Sequence, residues 1–466
     1  MGVSIPRYDR VIGLPEDGHA IAISNSERDD LACPHRWWFR HVERLKSPDT
    51  GPKRFGTLWH LWMEELHRWW MATDTPWPTD GATVCPFCRG SGRSESSPVG
   101  VLVELLPPEL CARCGGTGHG VVVRIGHQLA DTVQRSARAE GSTFTSDDAQ
   151  QLIEHLSRTI QGWILRYGPD PYSSLRVVGV EVGLARPILN PRTRTPYTPE
   201  TLMARLADGK LRFAETGEAQ EGLALPEGVR EIVSVRWPWY QIGRLDCILK
   251  HRTKATLFVG EFKTSSDPRG LVADLSLDPQ TAGYAWLLDA HRDWFGGESV
   301  VGAMFDVAAS IFHADPERLK GRPTKAVPDP PAELSQARNR TTPSWRYRAA
   351  LTAHGVDPAP YQEHIAFLTA QIDPKLYLRE WPSLGEEERR RYAEEVYAVA
   401  VRLANLRRAV ARAEDVTDLT VAVPRVPICR LPGGGCVYRA LCLLDGEQAR
   451  QRFEIGPTAT WVERRT

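Results

Sequence analysis

Three side chains near the middle of the chain have the types and spacing for hydrolytic chemistry on a phosphodiester. Asp246 lies in the segment IGRLDCILK, and Glu261 and Lys263 lie in TLFVGEFKTS. Both segments read as strands, so Glu261 and Lys263, two apart, point from one face while Phe262 points into the opposite layer. Antiparallel pairing of the two strands brings Asp246 alongside them. Two carboxylates then hold a hard divalent cation, Mg²⁺ or Mn²⁺, through oxygen ligands and leave positions for water and a phosphate oxygen. Such a cation lowers the pKa of water and offsets charge on phosphoryl oxygens, and Lys263 orients that water or offsets developing charge. The competing reading is a solvated hairpin with ordinary surface charges.

The elements that must position these residues follow from periodicity. Residues 1–75 are expected to be helical, with Leu58, Trp62 and Leu66 at helical spacing in RFGTLWHLWMEELHRWW. Residues 76–124 break that pattern with Pro, Gly and two Cys-x-x-Cys knuckles, and helical periodicity resumes over 125–170. From Leu175 the period becomes that of strands: LRVVGVEVGLA, REIVSVRW, WYQIGRLDCILK and ATLFVGEFKT, the last two joined by a turn at HRTKA. A helix is expected at QTAGYAWLLDAHRDWF and a further strand at VVGAMFDVAASI. Residues 315–345 are Pro-rich and basic and read as a loop or mobile crossover. The expected division is an N-terminal helical segment (1–75), an insertion (76–124), a helical segment (125–170), a mixed α/β core with flanking helices (171–312), a helical region (313–425) and a C-terminal cysteine segment (426–466).

Composition limits the partners. With 466 residues, 42% of them hydrophobic and 25% charged, the chain has the length and balance of a multi-module globular protein rather than a disordered one. Lys+Arg and Asp+Glu are both 58, so no global basic field attracts nucleic acid and any such surface must be a local groove. The opening MGVSIPRYDR lacks an apolar signal core, and no run approaches the roughly 20 apolar residues of a membrane span. The expectation is a cytoplasmic protein with no membrane partner. Nine cysteines, mostly in metal-like groupings, fit a reducing compartment better than a disulfide framework.

The knuckles CPFCRGSG and CARCGGTG supply Cys85, Cys88, Cys111 and Cys114, four thiolates for a tetrahedral Zn²⁺, with glycines for the tight turns. Disulfides or redox chemistry are the alternatives. Cys33 stands alone near the start, and Cys429, Cys436 and Cys442 cluster near the end. These four are either ligands of one soft site or simply buried thiols.

Further residues complete a series. His60 follows Gly56 in FGTLWH, Glu181 lies in VVGVEVGLA, and Gln280 and Tyr284 are four apart on one helix face. The order Gly-x-x-x-His, Glu, Gly-Arg-x-Asp, Glu-x-Lys, Gln-x-x-x-Tyr strongly resembles the RecB/AddB-like branch of the PD-(D/E)XK nuclease superfamily. SERDDLACPHRWWFRHVERL resembles that branch's N-terminal segment. The resemblance implies a restriction-endonuclease-like α/β core in which Asp246, Glu261 and His60 are metal ligands, Lys263 is the catalytic lysine, and Gln280 and Tyr284 help position DNA. For His60 a hydrogen-bonded core histidine is the competing role, and for Tyr284 plain helix packing. Cys33, Cys429, Cys436 and Cys442 resemble the 4Fe-4S staple of AddB-type nucleases and of CRISPR-associated adaptation nucleases, although RLPGGG stands where those proteins have Cys-x-x-Cys. The paired knuckles resemble the zinc repeats of DnaJ-type chaperones over those short segments alone.

The activity so implied is metal-dependent DNA cleavage, exonucleolytic or at single-stranded ends, in recombination, repair or phage DNA metabolism, with a helicase or recombination partner. CRISPR-type spacer processing and a non-catalytic DNA-binding scaffold are the alternatives. Arg338, Arg340, Trp345 and Arg346 are candidates for a strand-binding path, and a solvated basic loop is the other reading.

Overall fold

The computed structural model describes residues 11–73, 145–319, 333–412 and 454–455, apart from short interruptions at 16–18, 32, 42–43, 47–50, 168–171, 173, 216–217, 220–223, 276–278, 297–298 and 337–341. Cys85, Cys88, Cys111, Cys114, Cys429, Cys436 and Cys442, with Arg338 and Arg340, lie outside the described residues.

In chain order the elements are β1 (Ile21–Ser24), α1 (Asn25–Asp30), α2 (Pro34–His41), β2 (Leu45–Lys46), α3 (Gly51–Thr73), α4 (Ser146–Tyr167), β3 (Leu175–Pro187), β4 (Thr201–Leu206), β5 (Leu211–Phe213), β6 (Val229–Val235), β7 (Trp239–His251) and β8 (Thr256–Ser265). There follow α5 (Pro268–Leu275), α6 (Pro279–Ala290), β9 (Ser299–Ala309), β10 (Arg318–Leu319), β11 (Glu333–Leu334), α7 (Ser344–Ala353), α8 (Gln362–Gln371), α9 (Asp373–Leu376), β12 (Tyr377–Glu380), α10 (Glu386–Arg412) and β13 (Glu454–Ile455).

β7 organises the central mixed sheet. One of its edges is covered by antiparallel β3, from Leu175↔His251 to Pro187↔Tyr240. Its other edge is shared between two strands. Parallel β1 pairs with Trp239 to Ile242, and antiparallel β8 pairs from Cys247↔Gly260 onward. Residues Gly243 to Asp246 therefore sit in a fork between β1 and β8. Beyond β8 the sheet continues with parallel β9, reached through α5 and α6, and then antiparallel β12. β9 reads SVVGAMFDVAA and is buried nearly throughout, as a strand covered on both faces should be. Strands β4, β5 and β6 form a separate three-stranded sheet inserted between β3 and β7.

Helices cover both faces. Phe55, Leu58, Trp59, Trp62, Met63 and Leu66 make a buried stripe on α3 that packs with Ile153, Leu156 and Trp163 of α4 on one side of the sheet. On the other side Tyr284, Leu287 and Leu288 of α6 pack with Tyr392, Val396, Ala400 and Leu403 of α10.

Two expectations need correction. Residues 1–75 are not purely helical, because Ile21, Ala22 and Ile23 are fully buried in strand β1; four residues carry no readable period, and pairing with β7, more than two hundred residues away, decides their state. Residues 315–345 are not loop throughout, since β10 and β11 pair and α7 begins at Ser344. No helix among the described residues is long and apolar enough to cross a membrane.

Candidate active site

The fork in the sheet is where the chemistry-bearing residues meet. Continuing the β7–β8 register past Cys247↔Gly260 sets Asp246 across from Glu261, but the strands part there and the Asp246 carboxylate accepts the Phe262 backbone N–H at 3.0 Å. Phe262 packs into the core beneath α3, so Glu261 and Lys263 face away from it, as the two-residue spacing requires. The Lys263 ammonium donates to Glu261 Oε2 at 2.8 Å. From above, α3 places His60 Nδ1 at 3.4 Å from Asp246 Oδ2.

The motif glycines are explained by close approach. A Cβ at Gly243 would come within 2.7 Å of Leu287 Cδ1 and 2.8 Å of Tyr284 Cε1, so only glycine lets α6 lie against the fork. A Cβ at Gly56 would meet Thr264 Oγ1 at 3.3 Å, where α3 crosses the end of β8. On α6 the Gln280 amide donates to the Tyr284 hydroxyl at 2.7 Å, which fixes the two on one face. Asp246, Glu261, Lys263, His60 and the Gln280–Tyr284 pair are thus gathered around one fork. Cys33, by contrast, is buried between α1 and α2, with 4% of its surface exposed.

Glu181 sits on the neighbouring strand across from Asp246, since the β3–β7 ladder passes from Val180↔Cys247 to Val182↔Leu245. Its backbone is left-handed, at φ 52°. That conformation reverses the strand's alternation: Val180 packs beneath α3 and α4, whereas Val182 packs beneath α6 and α10. A non-glycine residue held there costs about 1–3 kcal/mol, a strain usually found at functional positions.

Glu64 and Arg68, which sequence reasoning passed over, and Arg244, which it named only within the Gly-Arg-x-Asp run, belong to the same neighbourhood. Glu64 follows His60 by one turn of α3, and its charge acts on both Glu181 and Asp246. Arg68, a further turn along, pairs with Glu64. Arg244, two residues before Asp246, donates from Nε to Glu181 Oε2 at 2.8 Å. The i, i+4 spacing on α3 and the i, i+2 spacing on β7 were the available signals.

Burial crowds these acids together and raises their pKa values. Asp246 is pushed up to about 7 by burial, against Lys263 and the Phe262 N–H, with Glu181 and Glu64 adding to the rise. Glu261 is pushed up to about 7 by burial and by Asp246. Glu181 rises to about 7 through burial and Glu64. His60 falls to about 4 through burial and Lys263, leaving a neutral imidazole fit for ligation. Burial opposes the Lys263 ammonium, yet Glu261 and Asp246 outweigh it and raise its pKa above the usual lysine range.

These donors suit a hard divalent cation. Glu261 Oε1 is buried with no hydrogen-bond partner, so one carboxylate oxygen of the pair is already stripped of water and unmatched. No group of three His, Cys, Asp or Glu side chains among the described residues has metal-holding spacing as the side chains stand. As they stand, Lys263 pairs with Glu261 Oε2, Arg68 with Glu64, and Arg244 with Glu181.

A pH dependence follows. The folded carboxylates of Asp246 and Glu261 bind protons more tightly than their ordinary values of 3.8 and 4.5, so the stability they confer is full below those values and is lost as pH rises through about 7. A divalent cation held by these two carboxylates would replace those protons. Thermal melts are therefore expected to show a larger stabilisation by Mg²⁺ at pH 8 than at pH 6. A Mg²⁺ shift that is the same at both pH values would contradict this origin.

The strand-binding path fares differently. Arg346 is buried, pairs with Asp315, and lies near the Trp345 ring, which itself meets His313 edge-on. Arg346 is a structural cation rather than a surface contact for phosphates.

A family model described as the PD-(D/E)XK nuclease superfamily matches residues 28–91 and 124–443 of the chain. The unmatched stretch between the two blocks falls inside the cysteine-knuckle segment. No curated protein matches.

Proposed function

Because the chain belongs to the PD-(D/E)XK nuclease superfamily, we propose that it hydrolyses DNA phosphodiesters at the fork between β1 and β8, with Mg²⁺ or Mn²⁺, acting on single strands or free ends. The observation that carries this reading is the row Glu181, Asp246 and Glu261 across three adjacent strands, with the neutral His60 above it and Lys263 beside it.

In this reading Asp246, Glu261 and His60 would hold the cation. The cation, when bound, supplies Lewis acidity toward a phosphoryl oxygen and a lowered pKa for the attacking water. Lys263, its charge secured by both carboxylates, is released from Glu261 Oε2 and turns its ammonium toward the water and the developing negative charge. Tyr284 and Gln280, linked by their hydrogen bond, present donors on the α6 side of the fork and orient the strand. The assay is cleavage of end-labelled single- and double-stranded DNA with Mg²⁺, with Mn²⁺ and with chelator. Metal-dependent loss of label from single-stranded or free-ended substrates supports the reading, and intact DNA under all conditions refutes it.

Two metal modules are part of the proposal. Cys33, Cys429, Cys436 and Cys442 hold a 4Fe-4S cluster, and Cys85, Cys88, Cys111 and Cys114 hold one Zn²⁺ outside the catalytic core. Support for the first is that all four cysteines fall within the family match, and that β13 near the C-terminus pairs with β2, which packs on α2, the helix that follows Cys33. For the second, the family match breaks at 92–123, so Cys111 and Cys114 fall outside it while Cys85 and Cys88 lie at the end of the first matched block. Anaerobically purified protein is expected to carry iron, sulfide and zinc together. Zinc without iron in iron-replete preparations would remove the cluster from the proposal and leave the nuclease reading standing. The roles in recombination, repair or phage DNA metabolism, and a helicase partner, are the cellular settings this activity fits.

A further inference from the structure

Glu261, Glu64 and Glu181 around the fork each carry a Lys or Arg side chain, and these three bases differ in where they face. Lys263, on Glu261, is 25% exposed and Arg68, on Glu64, is 16% exposed; Arg244, on Glu181, is 66% exposed. Arg244 lies two residues before Asp246 on β7, so both side chains leave the strand on the same side. Its Nε donates to Glu181 Oε2 at 2.8 Å and also lies 3.3 Å from the Glu181 carbonyl oxygen. The left-handed Glu181 is thus the fixed half of a pair whose other half stands mostly in water.

We infer that Arg244 is a phosphate-binding side chain of this site, parked on Glu181 until nucleic acid arrives and then transferred to a phosphate of the bound strand. The inference rests on the nuclease reading of the fork. A guanidinium matches two phosphate oxygens as well as it matches a carboxylate, and it is weakly hydrated, so exchange of one anion for another costs little. An ion pair whose guanidinium stands mostly in water is held weakly, so the parked state is readily left. Once Arg244 departs, the Glu181 carboxylate, across from Asp246, would be left free toward a cation held by Asp246 and Glu261. Arg68 and Lys263 are too enclosed to take this role without first opening the fork.

The test uses the full chain and a fluorescein-labelled single-stranded oligonucleotide, with Ca²⁺ replacing Mg²⁺ to limit turnover, and binding constants measured across a series of KCl concentrations. For single strands the plot of log K against log salt has a slope near −0.7 per neutralised phosphate. Arg244→Ala is expected to make the slope shallower by about 0.7, and Arg244→Lys to keep it, because the slope counts the charge delivered. A wild-type slope in Arg244→Ala overturns the inference.

The parking step has its own readout. In chelator, Glu181→Gln, which leaves Arg244 unparked, is expected to tighten binding several-fold at fixed salt while keeping the wild-type slope, and to have no such effect when Arg244→Ala is also present. Tightening that persists without Arg244 would show that Glu181 acts by its charge alone, and the parked pair would be discarded. Wild-type protein that binds no oligonucleotide overturns the nuclease reading itself, a result distinct from either variant's failure.

Discussion

Asp246→Ala is expected to lower metal-dependent cleavage by about a thousand-fold or more, the scale seen when one preorganised electrostatic group is removed from a transition state. Glu261→Ala should do the same. Neither change should unfold the protein. Asp246 and Glu261 are buried acids pushed up to about 7, so above that pH they oppose folding, and deleting Asp246 relieves repulsion with Glu181, Glu64 and Glu261 while Lys263 keeps Glu261 as its partner. The melting temperature of metal-free Asp246→Ala at pH 8 is thus expected to equal or exceed that of the wild type. This is the pattern of a site kept for activity at a cost in stability. Lys263→Ala separates the two roles: calorimetric Mg²⁺ binding is retained while turnover is lost. Purified Asp246→Ala that cuts at the wild-type rate would dismiss the catalytic assignment altogether.

Arg379→Ala is expected to destabilise the fold by about 3–5 kcal/mol, the usual consequence of leaving a buried charge without its partner. Asp306 on β9 is fully buried and pairs with Arg379 on β12, and it also accepts the Trp163 indole N–H at 3.1 Å. The guanidinium lies 3.9 Å from the ring centre of Tyr167 and 4.7 Å from that of Tyr172. The cluster therefore ties the outermost strand and α4 to β9, and β9 supports the β8 strand that carries Glu261 and Lys263. Urea titration measures the loss. Replacing both charges at once, Arg379→Met with Asp306→Asn, should recover most of it, since the penalty arises from the orphaned carboxylate. A loss under 1 kcal/mol for the single change would mean that water reaches Asp306.

The link between the two predictions is mechanical. The fork holds its acids close together against their mutual repulsion, and that arrangement persists because the strands bearing them are packed on both faces. α3 brings His60 and Glu64 down on one side, while α6, seated on Gly243, brings Tyr284 from the other.

Local pattern carried part of this in the sequence. A two-residue period made Glu261 and Lys263 share a face, a four-residue step put Gln280 and Tyr284 together, and the apolar stripe of α3 announced a buried helix; each is a property of neighbours along the chain. Strands β3, β7, β8 and β9 were legible for the same reason. Arg346 was misjudged because a basic residue in a Pro-rich stretch looks solvated until Asp315 is known to face it.

What only the tertiary structure decided concerns residues far apart. β1 was hidden because four residues have no period of their own, and its insertion beside β7 is what divides that strand's edge and creates the fork. The reversal at Glu181 was hidden because a left-handed residue leaves no mark in composition when it is not glycine. The pairing of Glu181 with Arg244, and the raised pKa values of Asp246 and Glu261, depend on burial and on charges from separate elements. The sequence by itself determined which residues could do chemistry and which faces they occupy, since both are local; the fold decided how many of them meet and which cation stands on which acid, since long-range pairing and desolvation are properties of the packed chain alone.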